Sequence, residues 1–186
     1  MDEDELFDVL TNIDSAAVPD KAERFEAEAQ RLEPGEYGRA SLLIASGEHW
    51  QVRGDYDKAQ ESFEAARADG GESAADPEVA LFGLAMKRED AEAAPRHLSI
   101  LKALAGAEQL TVDNYLHIGE IYEEHDHLRQ AHRWYTMPLT YADADDEDLD
   151  YLLLAARLRV REALGLPRDR FDQRAFEELE LRRARA

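Results

Sequence analysis

The chain has no cysteine in 186 residues. That absence excludes disulfides, thiolate zinc sites, iron–sulfur clusters and a cysteine nucleophile together. Lysine is nearly missing too: Lys21, Lys58, Lys87 and Lys102 are the whole set, and every other basic residue is an arginine. No run approaches the roughly 18 apolar residues of a membrane helix, and the leading MDEDELFDVL carries acids where a secretory signal carries cations. A soluble, cytoplasmic protein with no membrane partner is expected. No phosphate-binding glycine loop, nucleophile elbow or HExxH pair occurs either. The expectation is a protein that is not an enzyme, with no catalytic residue, no cofactor and no metal.

What is abundant is acid. Asp and Glu number 42 against 22 Lys and Arg, a formal charge of −20. Phosphate backbones are bound by cations that displace condensed counterions, so nucleic acid is excluded as a partner. The acid excess fits a solubility role, or an acidic face that attracts a basic partner. The charge is uneven: residues 157–186 hold nine arginines and six acids, which sum to +3 and leave −23 for residues 1–156.

Helical periodicity runs throughout, without sustained period-two alternation, so the fold class is all-α. Turn-forming clusters divide the chain into about ten helices that pair at 3–34, 40–71, 76–106 and 111–142, with a degenerate capping pair at 148–184. One motif is written twice. Leu43, Ser46, Gly47, Trp50, Gly54, Tyr56, Ala59 and Phe63 are answered 72 positions later by Tyr115, Ile118, Gly119, Tyr122, Asp126, Leu128, Ala131 and Tyr135. The distance is twice a period of about 34 residues. Ala22, Ala59, Ala94 and Ala131 extend the series in steps of 37, 35 and 37. Small residues at Gly47 and Gly119 let the first helix of a pair lie close to the second, Gly54 suits a left-handed helix end, and Asp55 can cap the next helix. The third pair departs: Phe82 replaces the small residue, and Pro95 puts the start of its second helix near itself. Pro138 should end or kink the second helix of the fourth pair.

These residues resemble the tetratricopeptide-repeat family over nearly the whole chain. The resemblance implies a single domain, residues 1–186, forming a right-handed α-α superhelix. Its concave face, lined by first helices, would bind a peptide segment of another protein. Carried onto this sequence, the groove positions are Ile44, Glu48, Gln51, Val52, Val79, Met86, Leu116, Glu120 and Glu123. The apolar ones would touch the peptide, and Glu48, Glu120 and Glu123 would select basic side chains. The irregular third pair is the first place to look for a partner. A peptide ending in a carboxylate would be repelled, since the lysines and asparagines that hold it in chaperone-binding members are missing.

Two alternatives stand beside this. The basic terminal helices could dock on the acidic body of a second copy, giving a homo-oligomer. The histidines of the fourth pair, His117, His125, His127 and His132, could sense a metal, although a polar turn explains them as well. Trp134, beside the core residue Tyr135, is expected to be partly exposed. The acidic run 143–150 is expected to be a solvated connection whose acids cap the next helix.

Overall fold

Several helix starts in this chain are set by short acidic or hydroxyl side chains that satisfy otherwise orphaned amides. Asp2 accepts from Glu5 N–H at 2.9 Å while the Glu5 carboxylate accepts from Asp2 N–H at 3.1 Å, a reciprocal capping box. Asp55, Asp76, Thr111 and Asp150 each accept from one first-turn amide of a later helix. The computed structural model describes residues 1–73 and 75–185, and its described residues are all-helical. The helices are α1 (Glu3–Ser15), α2 (Lys21–Ala29), α3 (Arg39–Val52), α4 (Tyr56–Asp69), α5 (Pro77–Lys87), α6 (Ala93–Gly106), α7 (Val112–Glu124), α8 (Leu128–Thr136), α9 (Tyr151–Ala163) and α10 (Arg170–Arg185). None is long and apolar enough to cross a membrane.

The chain divides into two compact units, Met1–Glu108 and Gln109–Ala186. In the first, each of α1 to α5 packs on its successor and α3 also packs on α5; in the second, α7 packs on α8 and α9, α8 on α9, and α9 on α10.

The repeat is clearest in the backbone. α3, α5, α7 and α9 all end in the same helix-stop, with a left-handed residue at Gly54 (φ +83°), Glu89 (+54°), Asp126 (+58°) and Gly165 (+66°). The residue after each donates its N–H five residues back, from Asp55 to Trp50, Asp90 to Ala85, His127 to Tyr122 and Leu166 to Arg161. This is the paired-carbonyl termination in which the left-handed position normally falls to glycine. Glu89 and Asp126 adopt it without glycine, which hides the repeat from a reading of the letters.

Inside the pairs the small residues meet rings. A Cβ added at Gly47 would fall inside 3.0 Å of the Phe63 ring, and one at Gly119 inside 3.0 Å of the Tyr135 ring. Ala22, Ala59 and Ala131 are fully buried, whereas Ala94 is only half-buried and Pro95 lies in the first turn of α6. In the third pair the bulk has changed sides: Phe82 on α5 is buried, and the slot of Phe63 and Tyr135 holds the half-buried Leu98. Buried Glu78 and His97 tie α5 to α6, with Oε1 to Nδ1 at 2.5 Å.

α8 stops at Thr136, and Pro138 lies in a short 3-10 turn, Met137–Leu139. Trp134 is only 3% exposed, its ring tilted 5.9 Å from that of Tyr115. The expected partial exposure is therefore corrected: α7 supplies an aromatic wall for the face of α8 next to Tyr135. In the acidic connection Asp150 caps α9 by accepting from Leu153 N–H at 2.7 Å.

Candidate functional site

In the first unit the polar partners of α3 face α2. Ser46 Oγ donates to the Ala22 carbonyl at 3.0 Å and Trp50 Nε1 to Glu26 at 2.8 Å. With Leu43, Gly47 and Trp50 spent on packing, the remaining face of α3 presents Ser41, Ile44, Ala45 and Glu48, spaced by three and four residues along one side. On α1, Leu6, Leu10 and Asp14 recur every fourth residue. These two faces border an open cavity of about 630 Å³. Tyr37 closes it from the α2–α3 turn, and Glu72, Ser73 and Ala75 from the connection between α4 and α5.

That connection is held in place at both ends. Asp69, at the end of α4, accepts from Gly35 N–H at 3.0 Å and pairs with Arg39, which ties the helix end to the α2–α3 turn. Gly70 (φ +68°) then turns the chain, and Asp76 caps α5. Ser73 Oγ donates to the Ala75 carbonyl at 2.7 Å. The floor of the cavity is apolar and its edges carry Asp14, Glu48 and Glu72, with no basic residue among the described residues that line it. Asp14 also meets His49 Nε2 at 2.7 Å.

The expected groove residues separate between the units. Ile44 and Glu48 line the cavity just described. Gln51 and Val52 lie beyond it at the end of α3, with Val52 81% exposed, and Met86 is half-buried on α5. Val79 and, in the second unit, Leu116 are buried, as is Ile44 beneath the cavity, so all three contribute to packing. The two helices of the irregular third pair and α4 enclose a small cavity of about 70 Å³. Leu6, Leu10, Asp14, Tyr37 and Glu72 were not among the expected site residues. The four-residue repeat of Leu6, Leu10 and Asp14 was the one signal available for them.

In the second unit Glu120 and Glu123 lie with Glu124 and Arg159 around an open space of about 470 Å³. Arg159 clasps Glu123 with both arms, Nε at 2.7 Å and Nη2 at 2.8 Å, and Tyr135 Oη donates to the same carboxylate at 3.0 Å. The Arg159 guanidinium outweighs desolvation and holds the Glu123 carboxyl below its ordinary range, whereas burial, then the Glu123 charge, pushes the Tyr135 phenol up.

Behind this surface is an ionic network that sequence reasoning missed. Arg157 is 3% exposed and Asp172 1%. Arg157 reaches Asp172 and Asp169 at 2.6 Å each and Thr136 Oγ1 at 3.2 Å, and Arg161 Nε donates to Asp172 at 2.7 Å. Asp169 and Asp172 also cap α10 reciprocally. Desolvation works to raise the Asp169 pKa, but the Arg157 hydrogen bond, the Asp172 amide and the charges of Arg157 and Arg161 together bring it down to about 2. A depressed carboxylate contributes its stability above its ordinary pKa of 3.8 and loses it as pH falls through about 2. Thermal melts by circular dichroism are therefore expected to be steady down to about pH 4 and to fall from there to about pH 2, with solvent screening at the partly exposed Asp169 moderating the drop. Replacing Asp169 with asparagine should flatten that slope.

The histidines disperse. His117 is exposed on α7, His125 Nδ1 contacts the Ile121 carbonyl at 2.8 Å, and the His127 ring meets Tyr122 edge-on. His132 lies 3.1 Å from Arg161, and desolvation, then the charges of Arg157 and Arg161, lower its pKa. Among the described residues no three His, Asp or Glu are grouped to hold a metal ion. Compared with known proteins, the chain matches no family model, no curated protein and no solved structure.

Proposed function

We propose that this chain is a non-catalytic, cytoplasmic interaction module of the tetratricopeptide type that binds a segment of another protein in the cavity of its first unit. The observation that supports this most is the open cavity between α1 and α3. The opposite face of α3 is fully packed, yet Ile44, Leu6 and Leu10 border about 630 Å³ of open space. A concave, mostly apolar site of this size with a few polar groups at its rim suits ligand capture.

Partner capture tests the role. Immobilised protein with Glu120→Arg in the second unit is expected to recover the same partner from source lysate as the unaltered chain, and Glu48→Arg to lose it. Unchanged recovery with Glu48→Arg removes the cavity as the site.

Self-association has less support. Seven of the nine arginines that make residues 157–186 basic are engaged by carboxylates of their own unit: Arg157 and Arg161 in the network, Arg159 by Glu123, Arg168 by Glu162, Arg170 by Asp143, Arg182 by Glu178 and Arg183 by Glu180. Light scattering is expected to give the same mass at low and high salt.

A further inference from the structure

We infer that the occupant of the first unit's cavity is a cationic amphipathic helix of another protein, an inference that rests on the docking role proposed above and adds the chemistry of the partner. The floor of Leu6, Leu10, Ile44 and Ala45 takes apolar side chains, and Asp14, Glu48 and Glu72 surround it with three carboxylates and no cation among the described lining residues. A segment of leucine-like anchors flanked by Lys or Arg complements both features; an acidic one meets like charge at the rim and in the −23 carried by residues 1–156.

The length selects a helix. Leu6 to Asp14 spans about 12 Å along α1, and a docked helix offers three anchors at i, i+4 and i+7 over about 10.5 Å. An extended strand crosses the same distance in about four residues and points only two side chains to one face. The open space of the second unit is different in kind, because a cation, Arg159, is among the residues that line it.

The test is fluorescence anisotropy with three labelled peptides of about sixteen residues, long enough to favour helix. One is an amphipathic Leu/Lys helix, one has Glu for each Lys, and one has Ser for each Leu. At about 0.15 M salt the Leu/Lys peptide is expected to bind at least about tenfold more tightly than either other. Glu48→Lys should weaken it about tenfold, and Glu120→Lys less than about twofold. Circular dichroism confirms that both variants fold.

Equal binding of the Leu/Glu helix overturns the charge assignment and leaves docking intact. Equal binding of the Ser/Lys peptide, or equal losses in both variants, overturns the site, since either marks diffuse attraction to an acidic surface. If no peptide binds while Glu48→Arg still abolishes partner capture, the docking role survives and this occupant is wrong. If capture is unaffected as well, both fall.

Discussion

Replacing Asp172 with alanine should destabilise the second unit by about 3–5 kcal/mol, the largest single effect expected in the molecule. The reason is what the substitution leaves behind. Arg157 is 3% exposed and cannot reach water without opening the α9–α10 contact, while Arg161 and the Asp169 amide lose the other carboxylate oxygen. Arg157 keeps the partly exposed Asp169 at 2.6 Å but loses its one fully buried counter-charge, and breaking a buried pair costs far more than the pair contributes against a well-packed apolar substitute. Adding Arg157→Met to Asp172→Ala is therefore expected to recover part of the loss, which a simple loss of contacts would not allow. Urea titration measures the total. Hydrogen exchange places it, with protection falling in α9 and α10 and holding in α3 and α4. A double variant no more stable than Asp172→Ala alone would show that the charge left by the single substitution is not what costs.

Adding one methyl group at Gly119 should also be severe. On an exposed helix Gly→Ala gains about 1 kcal/mol. Here the new Cβ falls inside 3.0 Å of the Tyr135 ring, and that ring has little freedom to give. It is fully buried, and its hydroxyl is tied to Glu123, which Arg159 holds in turn. Overpacking of this kind costs about 1–3 kcal/mol or more, enough to reverse the propensity gain. Gly47→Ala should act likewise through Phe63 in the first unit, where no such tie restrains the ring, and cost less. The third pair suggests the remedy, since it carries Phe82 on the first helix and Leu98 in place of the ring. Tyr135→Leu in the Gly119→Ala background is expected to regain stability, measured by the urea midpoint. A Gly119→Ala protein as stable as the parent would mean that the helices can separate, and that the glycine is not required for close approach.

These two effects differ in how far they could be foreseen. Gly119 was legible because packing of adjacent helices is local. A small residue, a ring sixteen positions on and a left-handed turn between them are one short stretch of chain, and the stretch occurs twice. The helix stops at Glu89 and Asp126 were partly hidden, since the geometry persists where the glycine does not. Asp172 was not legible. Its partners come from α9 and from the turn before α10, and nothing in a chain with 42 acids marks which carboxylate is buried. The same holds for Glu78 with His97, and for Trp134, which periodicity put beside the core and the Tyr115 ring drew into it.

The candidate site divides along the same line. Ile44 and Glu48 were named through the resemblance, which assigns them to one face of α3. That Asp14 and Glu72 share their cavity follows from how α1 and the α4–α5 connection settle around it, and that Glu123 is already paired follows from where α9 places Arg159. The amino-acid sequence by itself determined the all-helical class, the pairing of neighbours and the small-against-ring contacts, because each is decided within a few turns of chain. The tertiary structure alone decided which charges are buried together, which are already spent and which apolar face stays open, because these depend on residues brought together from separate helices.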